Sequence, residues 1–264
     1  MLVNCAFDHV VIVVSELGAA VEQFRAAGFA VTPGGRHDVL PTENALVAFP
    51  GGDYLELLAM REPAARAELG RLRASDAWES HLHGASAVAR RFLPRLAGVD
   101  GVGDACFCVG RLDRFARESR ARGFALTGPV AMERARRDTS ALAWSLLLPA
   151  DDGLPFLIED RTPRAARVPG GPDATTHGNG ATGVAGLLVR TPEPARLSLA
   201  YADLFGASPR VGSGGATSLA LGGVTIRITA GAPAGACGVE LSGVGALPAS
   251  LEALGVHALP EGSA

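Results

Sequence analysis

One ten-residue phrase occurs twice in this chain. Gln23-Phe24-Arg25-Ala26-Ala27-Gly28-Phe29-Ala30-Val31-Thr32 returns about 95 positions later as Glu118-Ser119-Arg120-Ala121-Arg122-Gly123-Phe124-Ala125-Leu126-Thr127. Each copy has an apolar run upstream and two more downstream. Such a repeat constrains architecture strongly, because each copy is one supersecondary unit that needs a neighbour to bury its apolar face. The unit reads strand–helix–strand–strand–strand.

In the first copy, Phe7-Asp8-His9-Val10-Val11-Ile12-Val13-Val14 is a β-branched run that suits a strand buried on both faces. Ser15 is placed to cap a helix over 16–27, which carries Leu17, Ala20, Val21 and Phe24 on one side and stops at Gly28. A short strand over 29–32 follows, then a turn at Pro33-Gly34-Gly35. Strands 45–49 and 54–60 are joined by Pro50-Gly51-Gly52-Asp53, a hairpin signal. Residues 61–98 break the pattern; their Ala, Arg, Glu and Leu at helical spacing predict one or two linking helices with solvated arginines. The second copy places strands at 106–109, 142–148 and 155–159 and a helix at 111–122.

Residues 161–181 are rich in Pro, Gly and Arg and read as a linker, with His177 and Asn179 shaping a turn. A third unit follows: strand 184–189, helix 195–204, a stop at Gly206, and a hairpin over 216–229. A further strand at 238–241 and a short helix at 249–254 close the chain. The division is therefore 1–165, with units at 7–60 and 103–160 joined by a helical linker over 61–100, and a third βαβββ-like unit over 182–264.

The composition, 48% hydrophobic and 19% charged, is that of a globular protein, and the strand–helix–strand repeats make its class α+β. A net charge of −3 gives no electrostatic reason to expect nucleic acid or anionic lipid as a partner. The N-terminus shows no signal-peptide pattern, and no apolar run is long enough to span a bilayer. Cys5, Cys106, Cys108 and Cys237 form no Cys-x-x-Cys pair and read as small hydrophobes in a reducing compartment. We expect a cytoplasmic protein; its Ala, Arg and Gly with little Lys suggest a bacterial origin. No dinucleotide fingerprint, P-loop or Gly-x-Ser-x-Gly elbow occurs.

Repeated units that open on Asp8-His9-Val10-Val11-Ile12 and close on Tyr54-Leu55-Glu56-Leu57 resemble the vicinal oxygen chelate superfamily. Gly34-Gly35-Arg36-His37, Thr42-Glu43-Asn44 and Gly52-Asp53-Tyr54-Leu55-Glu56 resemble its glyoxalase-like branch, as do Trp144-Ser145-Leu146 and His177-Gly178-Asn179-Gly180. The resemblance implies paired βαβββ units curled into a half-open mixed barrel. It also implies a divalent metal (Zn, Ni, Fe or Mn) held by His on the first strand and Glu on the last strand of each unit.

Unit one supplies His9 and Glu56. In unit two, the position as far ahead of Gly123 as His9 is of Gly28 holds Asp104, and Glu159 lies two beyond Leu157, so His9, Glu56, Asp104 and Glu159 form the expected ligand set. In unit three, Val184 or Ala185 and Arg227 stand at the matching places, and Arg227 cannot bind a metal. A carboxylate amid Leu55, Leu57 and Leu58 needs a partner, which marks Glu56 as a site residue. His37, in its Gly-Gly-Arg-His loop, is a candidate proton donor or acceptor together with Glu56. Arg36, Thr42, Asn44, Arg137 and Trp144 are candidate substrate contacts, and Arg134 and Arg136 share the run with Arg137.

The expectation is a metal-assisted lyase or isomerase acting on a small oxygenated substrate, in a homodimer, with the odd third unit either pairing with its copy or packing onto unit two. Two alternatives stand beside it. One is a metal-free small-molecule binder of the bleomycin-resistance kind; the other is an extradiol-type dioxygenase.

Overall fold

A computed structural model describes residues 4–135, 141–212 and 216–260. Unit one runs β1 (Cys5–Val13), α1 (Leu17–Ala26), β2 (Thr32–Arg36), β3 (Thr42–Ala48) and β4 (Tyr54–Met60). Unit two repeats it as β5 (Gly101–Val109), α5 (Leu112–Ala121), β6 (Leu126–Ala135), β7 (Ala141–Pro149) and β8 (Phe156–Asp160). The repeated glycines have a common cause: Gly28 and Gly123 end α1 and α5 at φ of 86° and 94°, where a side chain is strained.

The linker forms three helices, α2 (Pro63–Arg73), α3 (Trp78–Gly84) and α4 (Ala87–Leu96), one more than the periodicity predicts. Ser86 caps α4 by accepting a hydrogen bond from the Ala89 amide at 3.2 Å. Ser15 does not cap α1. Its amide and hydroxyl both donate to Asp100, at 2.8 and 2.7 Å, and so tie unit one to the end of the linker.

These two units make one strongly curled α+β half-barrel, an eight-stranded sheet ordered β2-β3-β4-β1-β5-β8-β7-β6. Within each unit the first and last strands pair in parallel, and β1 pairs antiparallel with β5 across the seam. The edges of the sheet approach each other. A side chain on Gly35 of β2 would meet the Arg134 guanidinium of β6 at 2.7 Å, so glycine at 35 is what lets the two ends close.

After α6 (Pro172–Thr175), the third unit runs β9 (Gly183–Thr191), α7 (Pro194–Phe205), β10 (Arg210–Val211), β11 (Thr217–Leu221) and β12 (Val224–Ala230). The tail then supplies β13 (Gly235–Ser242), α8 (Ala249–Glu252) and β14 (Val256–Ala258). β13 pairs antiparallel with β9 as β5 does with β1, and β14 lies parallel to β13. The tail is thus a shortened fourth unit, and the third unit's open edge is covered within the chain. The result is a second, six-stranded sheet ordered β10-β11-β12-β9-β13-β14.

Alternation along the strands assigns each residue to one of two cores. Val10, Ile12, Leu55, Leu57, Phe107 and Leu157 on the outer face of the first sheet join Phe24, Phe115 and Phe205 of the helices and Ile226 and Ile228 of the second sheet in one continuous core. Val11, Val13, Leu58, Phe156 and Ile158 on the concave face meet Val88, Phe92 and Leu96 of α4. The linker helices therefore roof the concave side. Among the described residues no helix is long and apolar enough to cross a membrane.

Candidate active site

The concave face of the first sheet and α4 enclose a cavity of about 110 Å³, on the scale of those that hold a single aromatic ring (about 150 Å³). Leu46, Leu58, Phe92, Met132, Leu146 and Phe156 give it an apolar wall. His9, His37, Thr42, Asn44, Tyr54, Glu56, Arg134, Trp144 and Arg167 also line it. Strands β1, β3 and β4 are neighbours, and their inward positions point into the same hollow.

His9 and Glu56 lie at the centre. Parallel pairing sets His9 beside Tyr54 and Val11 beside Glu56, and His9 Nε2 lies 3.4 Å from Glu56 Oε2. The other Glu56 oxygen accepts from Asn44 Nδ2 at 2.5 Å, and Asn44 Oδ1 accepts the Gly35 amide at 2.7 Å. Gly34 is needed here too, because a side chain on it would run into the Asn44 amide. The Gly34-Gly35 pair in the sequence is therefore room for Asn44 and Arg134. Beside them, His37 Nδ1 and Thr42 Oγ1 are hydrogen-bonded at 2.9 Å. Burial lowers the His37 pKa from its usual value, the nearby Glu56 charge opposing and Arg134 reinforcing that shift.

A β-bulge shapes the floor. The register of β1 on β5 shifts between Phe7 and His9, leaving Asp8 as the extra residue, so Asp8 and His9 come together. Asp8 is fully buried, and its Oδ1 lies 2.6 Å from His9 Nδ1. Arg164 and Arg167 donate to the same carboxylate. Burial alone would raise the Asp8 pKa, but His9 and Arg167 hold it far below the carboxylate range. The Tyr54 ring stacks on His9 with centroids 4.6 Å apart, and Phe156 meets it edge-on at 5.4 Å.

The four residues expected to bind a metal do not converge. Asp104 is buried in an ion pair with Arg91, whose Nε and Nη2 reach its two oxygens at 2.7 and 2.8 Å. Arg91 is itself buried, which corrects the picture of a solvated linker. Glu159 faces the opposite side of the sheet, where it accepts the Arg111 and Leu112 amides at the start of α5. Strand pairing explains the displacement. His9 pairs with Tyr54, and Cys106 pairs with Phe156, so Cys106 corresponds to His9 and Ile158 to Glu56. The two units are spaced differently: Cys106 lies 17 residues before Gly123 where His9 lies 19 before Gly28, and Ile158 lies five past Gly153 where Glu56 lies four past Gly52, so counting along the chain is out of step.

Asp8, His9 and Cys106 do offer three potential ligand atoms within 4.8 Å of one another. Asp8, however, is occupied by two guanidinium groups, whose charge opposes a cation. Burial raises the Cys106 thiol well above its usual value, with Asp8 adding to the effect. Of the expected ligand set, His9 Nε2 and Glu56 Oε2 are the two donors that meet, fewer than the three or four protein ligands of a zinc-type centre. Among the described residues the expected four-ligand set does not form, and the Asp8, His9 and Cys106 cluster is a poor fit to a cation.

Arg36 does not line the cavity; it lies on the groove beside α1, 3.5 Å from Glu43. Arg136 and Arg137 lie outside the described residues. Asp8, Tyr54, Arg164 and Arg167 belong to the site without having been singled out from the sequence. Asp8 had a signal, a carboxylate inside a buried apolar strand; the arginines, far along the chain, had none. His177 and Asn179 pin the linker to unit one: His177 Nδ1 accepts the Ala30 amide at 3.0 Å and Asn179 Nδ2 donates to Ala27 at 2.8 Å.

A curled sheet of paired βαβββ units around an inward His/Glu pair defines a protein of the vicinal oxygen chelate superfamily. A family model described as "Glyoxalase-like domain" matches residues 7–205, and the chain belongs to that family. Among solved structures, a hypothetical protein from Staphylococcus aureus is similar with a TM-score of 0.69 at 17% identity, over 90% of each chain. The Mn(II)-bound glyoxalase from Novosphingobium aromaticivorans gives a TM-score of 0.51 at 12% identity, over 91% of this chain and 65% of that one. A xylose isomerase-like TIM barrel/4-hydroxyphenylpyruvate dioxygenase fusion protein gives 0.51 at 14%, over 91% of this chain and 37% of that one. These likenesses show the fold. No curated protein sequence matches.

Proposed function

We propose that the protein is an isomerase or lyase that moves a proton on a small, mostly apolar substrate bearing a carbonyl group, without a resident metal. The observation that carries this reading is Glu56. One of its oxygens is fixed by Asn44, and the other faces the cavity beside His9 Nε2. A carboxylate held at one oxygen and open at the other, in an apolar hollow, is suited to take a proton from carbon next to a carbonyl. His9, oriented through Nδ1 by Asp8, presents Nε2 toward the same point, where as an acceptor it can take a hydrogen bond or a proton from the substrate. His37, kept neutral near pH 7 by burial, can take that proton up from Glu56 and return it to the substrate.

The test is solvent-deuterium incorporation into a panel of small aromatic and aliphatic ketones and 2-oxo acids, followed by mass spectrometry. Exchange that falls about 10²–10⁴-fold in Glu56→Gln, the usual contribution of a general base, and that survives a chelator, is the expected result. Exchange that depends on added metal overturns the metal-free form.

The apolar wall favours a second reading, in which the cavity only sequesters a small molecule. Tight ligand binding with no exchange in any member of the panel, and equal affinity in Glu56→Gln, selects that reading instead.

A further inference from the structure

Arg167 touches both groups that hold His9. Its Nη1 donates to Tyr54 Oη at 2.7 Å and to Asp8 Oδ1 at 3.1 Å, and its Nη2 donates to Asp8 Oδ2 at 3.1 Å. Asp8 is the partner of His9 Nδ1, and Tyr54 is stacked on the His9 ring. Arg167 is itself fixed from behind, because Asp160 at the end of β8 accepts from its Nε and Nη2 at 2.8 and 2.9 Å. It lies in the linker between the two sheets, just after the helical turn 164–166, and its side chain is 9% exposed. Arg164, in that turn, also donates to Asp8 but spends its other nitrogen on the Gly52 carbonyl at 2.6 Å and has no bond to Tyr54.

A planar guanidinium held by one carboxylate and bonded to two partners of one imidazole leaves that ring little freedom. Without it, Asp8 would be a buried carboxylate with one cation fewer, able to turn from His9, and Tyr54 would lose the bond that sets its ring. We propose that Arg167 is the positioning residue of the site, fixing His9 as the Nδ1–H form with Nε2 directed into the cavity by gripping Asp8 and Tyr54 together. The linker would then complete the first half-barrel's chemistry as well as join the sheets. The catalytic consequence rests on the proton-transfer reading above; the state of the His9 ring does not.

Long-range ¹H–¹⁵N NMR of the histidine rings, assigned with His9→Gln, tests the proposal on the intact protein. The wild type should show His9 with a bound, slowly exchanging proton on Nδ1. Arg167→Gln should lose that signal to a mixture of ring forms, and Arg167→Lys, which keeps the charge without the fork, should recover part of it. Tyr54→Phe removes one of the two grips with little change in packing, so it should broaden the His9 signals even if Arg167→Gln fails to fold. His9 signals unchanged in folded Arg167→Gln, or in both Arg167→Lys and Tyr54→Phe, would overturn the proposal and leave Arg167 as a brace between linker and sheet. A displaced His9 signal with no deuterium incorporation in the wild type would instead keep Arg167 in this role and remove the proton-transfer reading.

Discussion

The chain builds the same seam twice and uses it in opposite ways. In the first half-barrel His9 pairs with Tyr54 on one side and Cys106 on the other. In the second, Gly186 pairs with Thr225 and Glu240. Strand for strand, Gly186 stands where His9 does, Arg227 where Glu56 does, and Glu240 where Cys106 does. Arg227 and Glu240 are bonded to each other in the space that Gly186 leaves. A side chain on Gly186 would meet Arg227 Nη1 at 2.9 Å and would run into Glu240. The first seam thus opens onto a cavity roofed by α4, whereas the second is filled by its own ion pair. Topology supplies an inward-facing triangle of positions, and residue type decides whether it becomes a site.

The largest expected effect lies in the ion pair that only the first half-barrel buries completely. Arg91 and Asp104 have side chains 4% and 3% exposed; losing Asp104 leaves Arg91 a buried charge without its counterion, whereas losing Arg91 leaves Asp104 with Arg95, whose Nε lies 3.1 Å away. Asp104→Asn should lower unfolding free energy by about 3–5 kcal/mol, Arg91→Met by less because Arg95 stays beside Asp104, and Asp104→Leu with Arg91→Met should cost less than Asp104→Asn. Denaturant titration decides it. If Asp104→Asn is neutral in stability but alters the binding of added metal, Asp104 is a ligand after all and the contrast between the seams is drawn in the wrong place.

A smaller effect is expected at the second seam. Gly186→Ala forces a methyl group against Arg227 and Glu240, at a cost of about 1–3 kcal/mol in melting or denaturant experiments. Glu240→Ala alongside it should recover part of that loss by making room. The matching change at the first seam, Glu56→Gln, should leave stability within about 1 kcal/mol and act on chemistry instead, because Glu56 faces a cavity. Equal stability losses at Gly186 and Glu56 would mean that both seams are structural.

The architecture was legible because repetition and alternation are local. Gly28 and Gly123 mark helix ends, Gly51-Gly52 a hairpin, and Phe7–Val14 a buried strand, each from its own neighbours. Half of the site was legible for the same reason: His9, Glu56, His37, Thr42 and Asn44 all belong to unit one, where facing follows from simple counting within a strand. Unit two defeated counting, since its span from first strand to helix end is two residues shorter than that of unit one and its hairpin one residue longer. That is how Asp104 and Glu159 came to stand for positions held by Cys106 and Ile158. Arg164 and Arg167 were out of reach, as they meet Asp8 only once the linker has folded back across the sheet. Asp100 shows the same limit on a smaller scale: it takes the Ser15 hydroxyl that would otherwise suit a helix cap.

The smallest effect separates the seams by pH. Burial lowers the pKa of His37 at the cavity and of His177 where the linker meets unit one, the latter against a smaller opposing bond to the Ala48 carbonyl. A histidine whose folded pKa lies below its unfolded value of about 6.5 binds fewer protons when folded. Its contribution is fully present above pH 6.5 and is lost as pH falls toward the folded value. Asp8 and Asp104, shifted down despite burial, act in a separate window, from just below the unfolded value of about 3.9 downward. Stability measured from pH 7.5 to 5 should therefore decline, and His37→Gln should flatten part of the decline while His177 keeps the rest. The second seam is held by an Arg–Glu pair with no histidine in it, so Gly186→Ala should shift the whole curve down without changing its slope in this window. If His37→Gln leaves the slope untouched, the buried neutral state of His37 is wrong, and with it the group assigned to return the proton in the first half-barrel.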